Sequence, residues 1–107
     1  MTSMDWLITA IEKWSTERGL DKINPKDSSA QLAKLMEEVG ELAQGELKLD
    51  GDKVVDSVGD LLVVIIIYCQ QRGLDMTDCL QLAYENIMDR KGKTVNGVFI
   101  KEEDLHD

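Results

Sequence analysis

From Lys53 to Arg72 the chain contains no proline and one glycine, Gly59, and the stretch Leu61 to Cys69 carries no charge at all. Few folds can accommodate such a segment. Taken alone, Val63-Val64-Ile65-Ile66-Ile67 has the propensity of a buried parallel strand. The apolar character extends from Val54 to Tyr68, however, which is longer than most strands, so a helix is expected from about residue 53 to 72. Asp50-Gly51-Asp52 forms the preceding turn, with Asp52 as N-cap, and Gly73 ends the helix. A helix apolar on all sides belongs at the centre of a bundle or a dimer. The uncharged run is well short of the roughly 20 residues needed to span a bilayer, with Asp60 and Arg72 close by, so a buried element of a soluble protein is expected.

The rest of the chain follows the same helical period. Met4, Leu7, Ile8, Ile11 and Trp14 form one face of a first helix stopped at Gly19. A polar loop with the only proline, Pro25, follows, and Ser28-x-x-Gln31 resembles a capping box opening a second helix. There, Leu32, Leu35, Met36, Val39, Leu42 and Ala43 make an apolar stripe, with Glu37 and Glu41 opposite and Glu38 on the flank. A fourth helix begins near Asp75 or Thr77, buries Cys79, Leu80, Ala83, Tyr84, Ile87 and Met88, and stops at Gly92. Asn96-Gly97 between Val95 and Val98 is a tight-turn signal. The expectation is an all-α, four-helix bundle-like protomer with a short C-terminal turn or hairpin, forming a single domain over 1–107.

Two acidic clusters carry the chemistry. Residues three and four apart share a helix face, so Glu38 pairs with Glu41 and Asp56 with Asp60. If these two helices pack together, Glu37, Glu38, Glu41, Asp56 and Asp60 surround one point, a set of hard oxygen donors that selects Mg²⁺ or Mn²⁺. Glutamates opposite an apolar stripe are usually a solvated face. Aspartates inside the most apolar helix are harder to explain that way, although Asp56 also suits a first helical turn. Trp14 and Tyr84 read as core or interface residues. Asn86, Arg90 and Lys93 place phosphate-type donors in one short stretch of an otherwise acidic chain.

Charge and residue inventory exclude several classes. Twelve Lys+Arg against 21 Asp+Glu give a formal net charge of -9, which disfavours nucleic acid and anionic membranes as partners. Cys69 and Cys79 lack metal-site spacing and read as reduced core residues, so neither a disulfide nor zinc is expected. A di-iron bundle wants Glu-x-x-His on two helices, and the single histidine is His106 near the end. Asp50-Gly51-Asp52 does not match the ligand spacing of a calcium loop. The first residues, with Asp5, lack a basic stretch followed by an apolar one, so a cytoplasmic location is expected. At 107 residues the core is modest, and self-association is expected.

Gln31-Leu32-x-Lys34-Leu35-x-Glu37-Glu38-Val39-Gly40-Glu41-Leu42, followed by Asp56-Ser57-Val58-Gly59-Asp60-Leu61, resembles the MazG-like nucleoside triphosphate pyrophosphohydrolases, an all-α family related to the dimeric dUTPases. Ala83-Tyr84-x-x-Ile87-x-x-Arg90-Lys91-Gly92-Lys93 through Asn96-Gly97-Val98-Phe99 resembles the tail of its short, single-domain, often phage-encoded members. The likeness covers approximately Ile11 to Leu105. One departure stands out: the family's second motif is usually ExxD, and this chain has Ser57 three residues before Asp60, with Asp56 the nearest carboxylate.

The resemblance implies a metal-dependent hydrolase that cleaves a (deoxy)nucleoside triphosphate between the α and β phosphates, giving a monophosphate and pyrophosphate. It implies Mg²⁺, with Mn²⁺ as a substitute, on Glu38, Glu41 and Asp60 helped by Glu37 and Asp56. Glu37 or Glu38 would accept the proton of the attacking water, and Gln31, Lys34, Asn86, Arg90 and Lys93 would contact substrate. Family members are homodimers or homotetramers; a phage-encoded one would work in the host cytoplasm. The competing expectation is a non-enzymatic acidic helical interaction protein, an inhibitor or DNA mimic, with carboxylates spread over an exposed face and no need for Mg²⁺.

Overall fold

The computed structural model describes residues 2–22 and 25–106, in four helices followed by a two-stranded antiparallel hairpin and a 3₁₀ turn. They gather into two compact units, Met1–Met76 and Thr77–Asp107. The all-α architecture with a small C-terminal hairpin matches the expectation from sequence.

In the first unit, α1 (Met4–Glu17) is capped by Ser3, whose hydroxyl accepts the Trp6 N–H at 3.1 Å. It ends at Arg18 and Gly19, where a φ of 71° turns the chain back so that the Leu20 N–H reaches the Ser15 carbonyl at 3.0 Å. Helix α2 (Pro25–Leu47) begins at the proline rather than at the anticipated capping box, which puts Ser28 inside the helix as a buried residue. Proline suits a first helical turn because the N–H it lacks would have no partner there. Helix α3 (Gly51–Arg72) is one continuous helix, so length prevails over the strand propensity of Val63 to Ile67. Its N-cap is Asp50, two residues earlier than expected, whose carboxylate accepts the Lys53 N–H at 3.2 Å. Gly73, at φ 65°, closes its C-terminus as expected.

Helices α2 and α3 form an antiparallel hairpin. At its closed end they approach so tightly that a Cβ on Gly45 would lie 3.2 Å from the Lys53 side chain and 3.3 Å from that of Val54. The buried line of α2 runs Ser28, Gln31, Leu35, Glu38, Leu42, Gly45, alternating steps of three and four, with Gln31, Leu35 and Leu42 half-buried. This corrects the expected apolar stripe: Leu32, Met36 and Val39 face outward, and Glu38 replaces them in the interface. On α3 the matching line is Ser57, Val64, Ile67 and Gln71, all buried, while Ile66 and Cys69 complete the core.

Helix α1 lies parallel to α3. The Gln70 amide donates to the Glu12 carbonyl at 3.1 Å and the Thr16 hydroxyl at 3.0 Å, and the Gln71 amide donates to the Leu20 carbonyl at 2.7 Å. These bonds tie the two C-terminal ends together. Trp14, expected in the core or an interface, is half-exposed and holds the Arg18 guanidinium 4.2 Å from its ring centre. Among the described residues α3 alone is long and apolar enough to cross a bilayer. It carries Asp52, Lys53, Asp56 and Asp60 in its first half and buries its second half against protein, the pattern of a core helix.

The second unit holds most of α4 (Met76–Ile87), then β1 (Gly92–Val95) and β2 (Val98–Lys101). Asn96 and Gly97, with φ of 51° and 80°, form the two-residue turn anticipated from sequence, and Val95 pairs with Val98 across it. Gly92 pairs with Lys101, where a Cβ would collide with the Ile100 carbonyl oxygen and the Phe99 ring. The buried face expected on α4 is absent: no α4 residue is buried, and Cys79, Leu80, Tyr84, Ile87 and the following Met88 are exposed. Their helical spacing was legible, but spacing alone does not say whether anything covers the stripe.

Candidate functional site

Glu38 is the one charged residue among the buried residues of the described chain, with 5% of its surface exposed. Its position on the α2 line turns it toward α3, where burial withholds the water an ionised carboxylate needs. One oxygen, Oε1, lies 3.6 Å from the Lys34 ammonium one turn earlier. The other, Oε2, is buried without a hydrogen-bond partner. Desolvation pushes the Glu38 carboxyl above its ordinary range; the Glu41 and Asp60 carboxylates push the same way, and Lys34 partly opposes them. A side-chain contact with Glu41 adds to the rise.

Glu41, three residues on along the same helix, and Asp60, across the α2–α3 interface, therefore each lie within electrostatic reach of Glu38. Glu41 and Asp60 are exposed, so packing does not fix their rotamers, and among the described residues no three acidic, histidine or cysteine groups converge as a ready-made cation cage. The donor chemistry still fits a hard divalent cation: carboxylate oxygens only, one of them buried and unpartnered. Glu37 is exposed, on the face next to Glu38.

Asp56 behaves differently. It is not among the charges acting on Glu38, and its side chain makes no hydrogen bond or ion pair with another described residue. Together with Asp60 it borders a cleft on the α1 side of α3. Ser57, which stands where the family usually has its acidic residue, is 2% exposed on the buried line of α3. In the antiparallel register it falls near the level of Glu41, and a longer carboxylate at this position would project into the α2–α3 interface.

Of the expected substrate contacts, Lys34 and Gln31 share the α2 face that carries Glu38. In the second unit, Asn86 and Arg90 border an open cleft of about 570 Å³ together with Asp89, Lys91, Lys101, Glu102 and Glu103. Lys93 does not join it; it lies on β1, paired with Ile100. Sequence reasoning missed the heptad-like line that buries Glu38, because Leu32, Met36 and Val39 made a more conspicuous stripe. It also missed the α1 residues Leu7, Ile8 and Ile11, which line the same cleft as Asp56 and Asp60.

Comparison with known proteins identifies a family. Over residues 26–95 the chain matches the family model described as MazG nucleotide pyrophosphohydrolase domain. It is also similar to an uncharacterized 18.2 kDa protein in the rep-hol intergenic region of Haemophilus phage HP1, with 39% identity over 75 residues, 70% of this chain. The match covers 45% of that relative, so the chain spans less than half its length. No solved structure matches. The family match spans both acidic motifs and the tail through Val95, and on that ground the chain belongs to the MazG nucleotide pyrophosphohydrolase family.

Proposed function

We propose that this protein is a metal-dependent nucleoside triphosphate pyrophosphohydrolase, converting a (deoxy)nucleoside triphosphate and water into a monophosphate and pyrophosphate. The observation that carries this reading is the buried, partnerless Oε2 of Glu38 beside Glu41 and Asp60. A purely structural carboxylate in that position would be a cost with no return, whereas a cation ligand must be withheld from other partners.

Glu38, Glu41 and Asp60 would hold Mg²⁺, or Mn²⁺ in its place. When bound, the cation supplies charge neutralisation for the phosphates and acidifies a coordinated water. Glu37, exposed next to Glu38, is the residue we assign to take the proton as the water oxygen bonds to the α-phosphorus. The bond from the α-phosphorus to the bridging oxygen breaks, and that oxygen leaves with pyrophosphate. Gln31 and Lys34 on α2, and Asn86, Arg90 and Lys93 in the second unit, are donors suited to phosphate oxygens.

We treat residues 1–107 as one functional domain that works as a homodimer or homotetramer in the cytoplasm, the host's if the gene is carried by a phage. The support for assembly is apolar surface at helical spacing: Leu32, Met36 and Val39 on α2, and Leu80, Tyr84 and Ile87 on α4 are all exposed.

The test is product analysis by ion-exchange chromatography after incubation with a panel of ribo- and deoxynucleoside triphosphates, with and without Mg²⁺, alongside Glu38→Gln. Monophosphate and pyrophosphate formed only with metal and only by the unaltered protein are expected. Diphosphate and orthophosphate would mean cleavage of another bond. A folded protein that turns over nothing and binds no Mg²⁺ would instead be the acidic interaction protein.

A further inference from the structure

We propose that the cleft between α1 and α3 seats the nucleobase of the substrate, and that Asp56 selects bases whose edge carries adjacent N–H donors, guanine above all. This rests on the hydrolase reading and extends it to substrate choice.

The cleft has a volume of about 350 Å³ and is walled by Leu7, Ile8 and Ile11 of α1 and Val63 of α3, with Asp56 and Asp60 at its border. An apolar slot with a few polar groups suits a flat aromatic body held by its edge. Asp60 belongs to two places at once: it borders this cleft and acts on Glu38 across the α2–α3 interface. A molecule seated here is thus contiguous with the carboxylate cluster, as the base of a nucleotide must be with its phosphates.

Asp56 stands one helical turn before Asp60, and no described residue engages its oxygens. An ionised carboxylate can only accept hydrogen bonds. Guanine offers N1–H and the N2 amino group side by side, a bidentate match. Adenine and cytosine offer one amino group each. Thymine and uracil present a single N–H flanked by two carbonyl oxygens, which a carboxylate repels.

The test uses the full-length protein with methyl-labelled isoleucines, titrated with dGMP or dTMP in the presence of Mg²⁺. The expected result is movement of the Ile8 and Ile11 signals by dGMP, with dTMP binding about 10-fold or more weaker, and an Asp56→Asn variant losing most of that difference. Equal response to the two nucleotides, a difference that survives Asp56→Asn, or no response at Ile8 and Ile11 would each overturn the proposal. So would isoleucine shifts produced by raising protein concentration alone and unaltered by nucleotide, since a second copy would then fill the cleft. The hydrolase reading is scored separately: turnover without shifts at Ile8 and Ile11 removes the base site and keeps the reaction, while selective dGMP shifts without turnover do the reverse.

Discussion

Asp60 on α3 raises the proton affinity of Glu38 on α2, so the two acidic motifs, well separated in sequence, act on each other across one helix interface. Removing either charge should disable cation binding without unfolding the chain. Glu38→Gln and Asp60→Asn are each expected to lower Mg²⁺-dependent turnover by on the order of 100-fold or more, with unchanged helical content by circular dichroism. Activity near that of the unaltered protein in both variants would remove these residues from the site.

Burial of Glu38, reinforced by the Glu41 and Asp60 charges, makes stability depend on pH. Because the folded-state proton affinity of Glu38 is raised, its contribution is present below the ordinary carboxylate pKa and is lost as pH rises through the elevated value. In metal-free protein, Glu38→Gln should therefore melt at a higher temperature than the unaltered chain at neutral pH, and this advantage should shrink on acidification. Added Mg²⁺ should narrow the gap from the other side, by stabilising only the carboxylate form. Thermal melts of both proteins across mildly acidic to neutral pH, with and without the cation, check the sign; a gap independent of pH would contradict it.

The two thiols should report on assembly. Cys69 is buried and Cys79 exposed on α4, so a thiol reagent should modify one site quickly and the other only on denaturation. If the exposed face of α4 is covered by another copy, the rate at Cys79 will fall as protein concentration rises. A fast rate independent of concentration would place the assembly surface elsewhere.

Gln71, 2% exposed, ties α3 to the turn after α1 through its 2.7 Å bond to the Leu20 carbonyl, while its own oxygen has no partner. Gln71→Ala leaves that carbonyl unpaired and opens a void, and should cost about 1 to 3 kcal/mol by denaturant unfolding. Gln71→Glu should be worse at neutral pH, because it buries a charge and loses the donor. A fall of less than a few tenths of a kcal/mol for both would mean that water replaces the contact.

Much of this was legible in the sequence. The long third helix, the Asn96-Gly97 hairpin and the stops at Gly19 and Gly73 each rest on local backbone chemistry, which a single sequence carries in full. The face of α2 did not, because apolar periodicity identifies a stripe without saying what covers it: Leu32, Met36 and Val39 are outside this protomer's own core, and Glu38 is within it. For the same reason the face of α4 was mistaken for buried. At the site, the spacing of Glu38 and Glu41 was informative because helix geometry converts spacing into proximity, whereas the reach of Asp60 to Glu38 depends on how α3 packs on α2. Asp56 shares a face with Asp60 by that rule yet opens toward α1, a neighbour that sequence separation does not reveal.

Gly45 carries no charge and lies two turns from Glu38, yet it is where α2 leaves less than ordinary van der Waals room for a side chain against α3. Two stiff rods joined at one end behave as a pair of calipers, and here the hinge gap is the width of a missing methyl group. A side chain there would need those of Lys53 and Val54 to give by a few tenths of an ångström, on the same two helices that carry Glu38 and Asp60. If Glu38, Glu41 and Asp60 hold a cation as proposed, its affinity should be adjustable from Gly45, a position that could never supply a ligand.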